Sequence, residues 1–174
     1  MSLDAMEIPS VNLQNLDLID KIFKDDTPND TYPPDYYKTT EEIVKGYGFD
    51  FEEHQVTTKD GYKLTMHRVR KPGLKKGAPT IFMQHGLMDS SNTWIINGMD
   101  SFGLKFASKG YDVWLGNNRG NSYSRVHETL NPETDQEEFF NFSFAELGKY
   151  DLPAQVDYVR KHTGMKKITY AGHS

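Results

Sequence analysis

Three short runs decide what this chain can become: "TIFMQ" at 80–84, "YDVWL" at 111–115 and "KKITYA" at 166–171. The first two are unbroken apolar stretches, the pattern of strands covered on both faces, and the third is β-branched and aromatic at its core. A helix is expected between each pair. The first has Ser101 as its cap, Phe102 and Phe106 on one face, a span to about Ser108, and Gly110 for the left-handed position beyond it. The second runs from Asp151 as cap to about Thr163, places Leu152, Val156 and Val159 on one face, tolerates Pro153 in its first turn and stops at Gly164. Strand, helix, strand, helix, strand specifies a mostly parallel sheet with helices on its faces, because parallel neighbours need a long crossover. Ahead of them, "EEHQVTT", the turn "KDG" and "YKLTMHRVR" read as a hairpin, so the sheet begins antiparallel. A basic Gly/Pro loop, "KPGLKKGAP", joins the hairpin to the first run. The fold class is α/β.

Residues 1–38 read as an irregular arm, since "DDTPNDTYPPDYY" can neither pair as a central strand nor continue a helix. Within it Val11, Leu16, Ile19, Ile22 and Phe23 recur at near-helical spacing, as in a strap packed on the domain surface. The domain proper is 39–174. It opens on the helix "TTEEIVKGYG", with a Thr cap, acidic residues in the first turn and Gly48 beyond the end. A short helical turn is expected in "FSFAELGKY".

With 20 basic and 25 acidic residues well mixed and a formal charge of −5, no basic face exists for a phosphate backbone, so nucleic acid is not an expected partner. No apolar run of about 18 residues is present, so no transmembrane segment is expected. Cysteine is absent, which removes disulfides and thiolate metal sites. "MSLDAMEIPS" lacks the basic flank and apolar core of a signal peptide.

In an open parallel sheet reactive groups collect at the carboxyl ends of strands, here "QHGLMDSSNTW", "GNNRGNS" and "AGHS". A strand running into Gly172-His173-Ser174 suits a serine nucleophile held on a sharp turn, although Gly-x-Ser alone is also common in ordinary loops. A serine nucleophile needs oxyanion donors beside it, from the loop after the third strand. His85-Gly86-Leu87 occupies that loop, and the Leu87 N–H is the candidate donor. His85 is expected to close the turn by hydrogen bonding rather than to bind a metal, since no second ligand lies at helical or hairpin spacing, and no metal site is expected.

"QHGLMDSSNTWI", "GYDVWLGNNRGNSYSR", "FFNFSFAELGKYDLPAQVDYV" and "ITYAGHS" resemble successive signature blocks of the acid lipase family, the gastric and lysosomal lipases of the α/β-hydrolase fold. The similarity covers about Pro34 to Ser174, in the family's order and spacing. It implies an α/β-hydrolase sheet cut after its fifth strand, Ser174 as nucleophile and Leu87 N–H as first oxyanion donor. It also implies that the second donor, the triad Asp and His and the lipid-shaping cap are not in these residues. No cofactor is implied. Triacylglycerol or sterol esters met at a transient lipid–water interface are the implied substrates, and a secreted or lysosomal setting the implied location.

Asn118, Arg119 and Gly120 match a family block, and their expected task is bracing their loop. Trp114 and the Phe139, Phe140, Phe142 and Phe144 cluster are expected in the core, while Trp94, which follows the oxyanion loop, is the candidate for an acyl-pocket wall. His54, His67, His127 and His162 have no partner visible in sequence and are expected at the surface. Asn29 and Asn141 begin glycosylation patterns, with Asn141 equally placed to cap the turn after it. Two functions follow: a serine ester hydrolase acting through an acyl-enzyme on Ser174, or a catalytically inert lipid-binding or interaction fragment, since the chain ends on its nucleophile.

Overall fold

The computed structural model describes Asp35 and residues 37–174, so the expected strap at 11–23 and the Asn29 pattern lie outside the described residues. Strands β1 (Asp50–Thr57) and β2 (Tyr62–Arg70) form the expected antiparallel hairpin, Asp50 opposite Arg70 and Thr57 opposite Lys63. β3 (Thr80–Gln84), β4 (Asp112–Leu115), a two-residue β5 (Val126–His127) and β6 (Thr169–Gly172) complete a sheet of order β1-β2-β4-β3-β6, with β5 on β2. β4, β3 and β6 pair in parallel, β2 is antiparallel to both β1 and β4, and so β2 alone runs against its neighbours on this path. The serine-bearing strand is the fifth on that path. β5 was not foreseen because two residues carry no period.

Both faces of the central strands are covered, which is why they read as unbroken apolar runs. Ile81, Met83, Val113 and Leu115 point to one side, with α1 (Thr40–Gly46) and α2 (Phe102–Ser108), where Ile43, Val44, Leu104 and Ala107 meet them. Phe82 and Trp114 point to the other, against Val159 with Leu152 and Val156 of α3 (Leu152–Thr163). This period of two within a continuous run is what a doubly covered strand requires. Full burial of Phe82 and Trp114 makes truncation of either cost about 3–5 kcal/mol.

The caps follow the sequence in part. Thr39 and Glu42 form a reciprocal capping box on α1, and Gly164 closes α3 at φ 74. Ser101 stands at the cap position of α2, but its hydroxyl donates to the Gly98 carbonyl instead of capping. Asp151 does not cap α3 either. It lies inside a π-turn, Leu147–Asp151, that joins the short Phe144–Glu146 helix to α3, and its carboxylate is committed to Arg119. The Phe144 turn is capped by Ser143 in a box with Glu146, not by Asn141. Among the described residues no helix is long and apolar enough to cross a membrane.

Candidate active site

Parallel pairing of Phe82, Met83 and Gln84 with Tyr170, Ala171 and Gly172 brings the exits of β3 and β6 side by side, and the His173 N–H extends the ladder to the Gln84 carbonyl at 3.0 Å. Ser174 then turns into the left-handed region at φ 68, unusual for a residue with a side chain and typical of strained functional turns. Gly86 packs against it. A Cβ on Gly86 would fall 3.0 Å from Ser174 Cβ and 3.2 Å from both His173 Nδ1 and the His173 carbonyl oxygen, so only glycine leaves this approach unstrained. Leu87 and Met88 follow at the surface, 73% and 99% exposed, with Met88 at φ 58.

His85 is buried behind this loop. The Asn118 backbone N–H can only donate, and it lies 3.2 Å from His85 Nε2, so Nε2 is an acceptor and the proton sits on Nδ1, which donates to the Gly86 carbonyl at 2.7 Å. Burial pushes this imidazole below its ordinary pKa, against weaker opposing effects of the Gly86 carbonyl and Asp89. His85 thus takes the expected turn-closing role.

The loop after β4 supplies a polar frame. Asn117 donates to the Thr65 carbonyl at 3.1 Å and accepts from Ser91 N–H and the Asn121 amide, each at 2.9 Å. Its own N–H goes to the fully buried Gln155 at 3.1 Å. The Arg119 guanidinium, with its side chain 1% exposed, forks between Asp60 and Asp151 over the Tyr62 ring, 3.9 Å from its centroid. Desolvation opposes ionisation of Asp60, but hydrogen bonds from Arg119 and Thr58 outweigh it and hold the carboxyl below its usual value. For Asp151 burial prevails and the carboxyl is raised in spite of Arg119. Arg119 therefore braces, as expected. Asn117, Asn121 and Gln155 carry no role in the sequence reading, where only the density of "GNNRGNS" points to the two asparagines, and Asp151 is expected there as a helix cap and not as the partner of Arg119.

Two adjoining cavities open here. One of about 420 Å³ is walled by Ser174, Leu87, Asn118, Phe144, Leu147 and Tyr170 among others. The second, about 520 Å³, shares His85, Leu87, Asn118 and Leu147 and adds Met88, Asn121 and Phe142. Among the described residues lining the first there is no carboxylate, and of its two histidines His85 has both nitrogens engaged.

Trp94 is not on either wall: its partly buried ring packs on the core beside Phe102, with centroids 6.5 Å apart. It ends a 3₁₀ turn, Ser91–Trp94, and its ring is directed inward. Trp114 and Phe139 are core, whereas Phe140 and Phe144 are exposed at 41% and 81%. The histidines depart most from expectation. His67 is buried, 2.9 Å from Ser91 Oγ, and desolvation lowers its pKa to about 4. His54 bonds Tyr158 and Glu52, and His127 accepts from Thr129 and Leu130 backbone N–H while meeting the Asp60 carbonyl. Of these four only His162 is exposed, and even it faces Arg68. Glu52, His54 and His162 lie close enough to hold a cation, but the Arg68 guanidinium, 2.9 Å from Glu52 and 3.4 Å from His162, takes that place.

Residues 79–174 match the α/β hydrolase fold family, and residues 40–98 match the partial α/β-hydrolase lipase region. Lipase 1 of Drosophila melanogaster is 47% identical over 157 residues, 87% of this chain and 34% of that protein. Human lysosomal acid lipase/cholesteryl ester hydrolase is 42% identical over 146 residues, and bovine gastric triacylglycerol lipase 40% over 148, each alignment covering 81% of this chain and 36% of the relative. The chain thus spans about a third of the length of these relatives. Among solved structures an esterase of Pyrococcus furiosus superposes with a TM-score of 0.51 at 21% identity, over 79% of this chain and 44% of the esterase, which speaks to the fold alone.

Proposed function

Because this chain belongs to the α/β-hydrolase family and is similar over most of its length to the acid lipases, we propose that residues 39–174 are the N-terminal part of a serine carboxylic-ester hydrolase domain acting on lipid esters. The observation that carries this reading is the approach of Gly86 to Ser174, which sets the Gly86–Leu87 peptide beside a serine in a left-handed turn. Ser174 Oγ attacks the ester carbonyl, and the Leu87 N–H stabilises the oxyanion. A histidine outside these residues takes the serine proton and passes it to the leaving alcohol, held in orientation by an aspartate, and water then hydrolyses the acyl-enzyme. The names of the human and bovine relatives favour triacylglycerol or cholesteryl esters and a secreted or lysosomal setting. Exposed Leu87, Met88 and Phe144 beside the cavity suit contact with a lipid–water interface.

Ser174→Ala, in a form carrying the complete triad, tests the nucleophile: hydrolysis of p-nitrophenyl or glyceryl esters should vanish, and retention of more than a small fraction of turnover would overturn the assignment. A second reading, an inert lipid-binding fragment, draws support from the cavity lining at Ser174, which holds no side-chain carboxylate among the described residues to orient a histidine base. It requires the 174-residue chain to resist a serine-directed fluorophosphonate that labels the complete form at Ser174. Equal labelling of both would show that the shorter chain holds a working site.

A further inference from the structure

The Gly86 carbonyl and the Leu87 N–H belong to one planar peptide unit, so whatever holds the carbonyl also aims the N–H in the opposite direction. His85 Nδ1–H holds it at 2.7 Å. The other face of the ring is gripped by the loop after β4: Asn118 N–H at 3.2 Å and the Asn121 side-chain amide at 3.3 Å both meet Nε2. The Asn121 amide cannot turn over to offer its oxygen instead. One of its two N–H groups donates to Asn117 Oδ1 at 2.9 Å and the other is shared between His85 Nε2 and the Asp89 carbonyl at 3.4 Å, while its oxygen accepts the Tyr123 N–H at 3.0 Å. A flip would break these bonds together and set like dipoles against each other in a part-buried site.

Resting on the hydrolase reading above, we infer that Asn121 is a positioning residue for the oxyanion donor: through His85 it locks the Nδ1–H tautomer and thereby the orientation of the Gly86–Leu87 peptide. A proton added at Nε2 would face two donors, Asn118 N–H and Asn121 Nδ2–H, so the relay works only with a neutral ring. Burial pushes the His85 pKa below its ordinary value and so favours the neutral ring. Asp89 on the same loop acts weakly to raise this pKa, as does the Gly86 carbonyl, and the His173 ring at the exit of β6 lies against Gly86. The Arg119 guanidinium is turned away to Asp60 and Asp151.

Two variants test this in a form carrying the complete triad. Asn121→Ala should lower kcat about tenfold with KM within about twofold, because an ill-aimed donor costs transition-state rather than ground-state binding. Asn121→Asp sets a carboxylate against Nε2, stabilises the imidazolium, and should move the acid limb of kcat/KM upward by about one pH unit. A residue that only supports the fold would shift melting temperature without moving that limb. Nitrogen-15 spectra of the His85 ring give a second readout that needs no ester substrate: the wild type should show the Nδ1–H tautomer titrating below the ordinary imidazole range, and Asn121→Asp should titrate higher. An Nε2–H tautomer in the wild type, or an unmoved titration in Asn121→Asp, overturns the inference even if hydrolysis is intact. Failure of Ser174→Ala to abolish hydrolysis would instead overturn the hydrolase reading and leave the ring spectra standing. Should Asn121→Ala fail to fold, the Asn121→Asp limb and spectra decide.

Discussion

Gly86 and Ser174, 88 positions apart in the chain, pack so closely that one added methyl group would sit 3.0 Å from the serine Cβ. Gly86→Ala therefore forces the His85–Met88 loop and the turn at Ser174 apart. In a form carrying the complete triad, we expect at least a tenfold loss of kcat, since displacement by about 1 Å costs about 100-fold, with only a small change in melting temperature. Wild-type turnover in this variant would show that the loop yields freely and does not set the site's geometry.

Among the described residues Arg119 is the cation that bridges Asp60 and the fully buried Asp151. Arg119→Met strands both carboxylates, and breaking a buried pair from one side costs about 3–5 kcal/mol. Arg119→Lys should recover little, because one ammonium cannot reproduce the fork that reaches both acids. Chemical denaturation of the two variants measures this, and a loss below about 1 kcal/mol in Arg119→Met would refute the bracing role.

His67 is held neutral in the fold with a pKa of about 4, whereas an unfolded histidine titrates near 6.5. Between these values the unfolded state binds a proton that the folded state does not, so stability rises with pH through the window and falls as pH drops from about 6.5 to about 4. The full effect is about 3 kcal/mol. Melting curves across that range should show the decline in the wild type and a shallower one in His67→Gln. Equal slopes would mean that the ring is already charged, or that other groups dominate.

β6 pairs with β3 on one edge, and among the described residues nothing pairs its other edge, where Thr169 and Tyr170 are exposed. An uncharged strand edge of this kind templates addition of another chain. The purified 174-residue chain should associate in sedimentation experiments, and Thr169→Lys should reduce the association by placing a charge on the edge. A monodisperse wild-type monomer would count against the edge being available.

The sequence by itself determined every strand but the two-residue β5, most of the helix ends, and the approach of the two exits. Unbroken runs at 80–84 and 111–115 announce strands covered on both sides, and the order of elements already sets the β3 exit beside the β6 exit. These features are local or periodic, so backbone sterics and burial write them into neighbouring residues. The tertiary structure decided which polar side chains meet. Arg119 finds Asp60 across 59 positions and Asp151 across 32, and His67 finds Ser91 across 24. No period marks such pairs, because a side chain far along the chain becomes a partner only after the sheet has closed the distance. Trp94 shows the same limit from the other side: its position after the His85–Met88 loop pointed to the cleft, but its 3₁₀ turn packs the ring against the core. Sequence order sets which strand ends are neighbours, and packing sets which way each side chain at those ends turns.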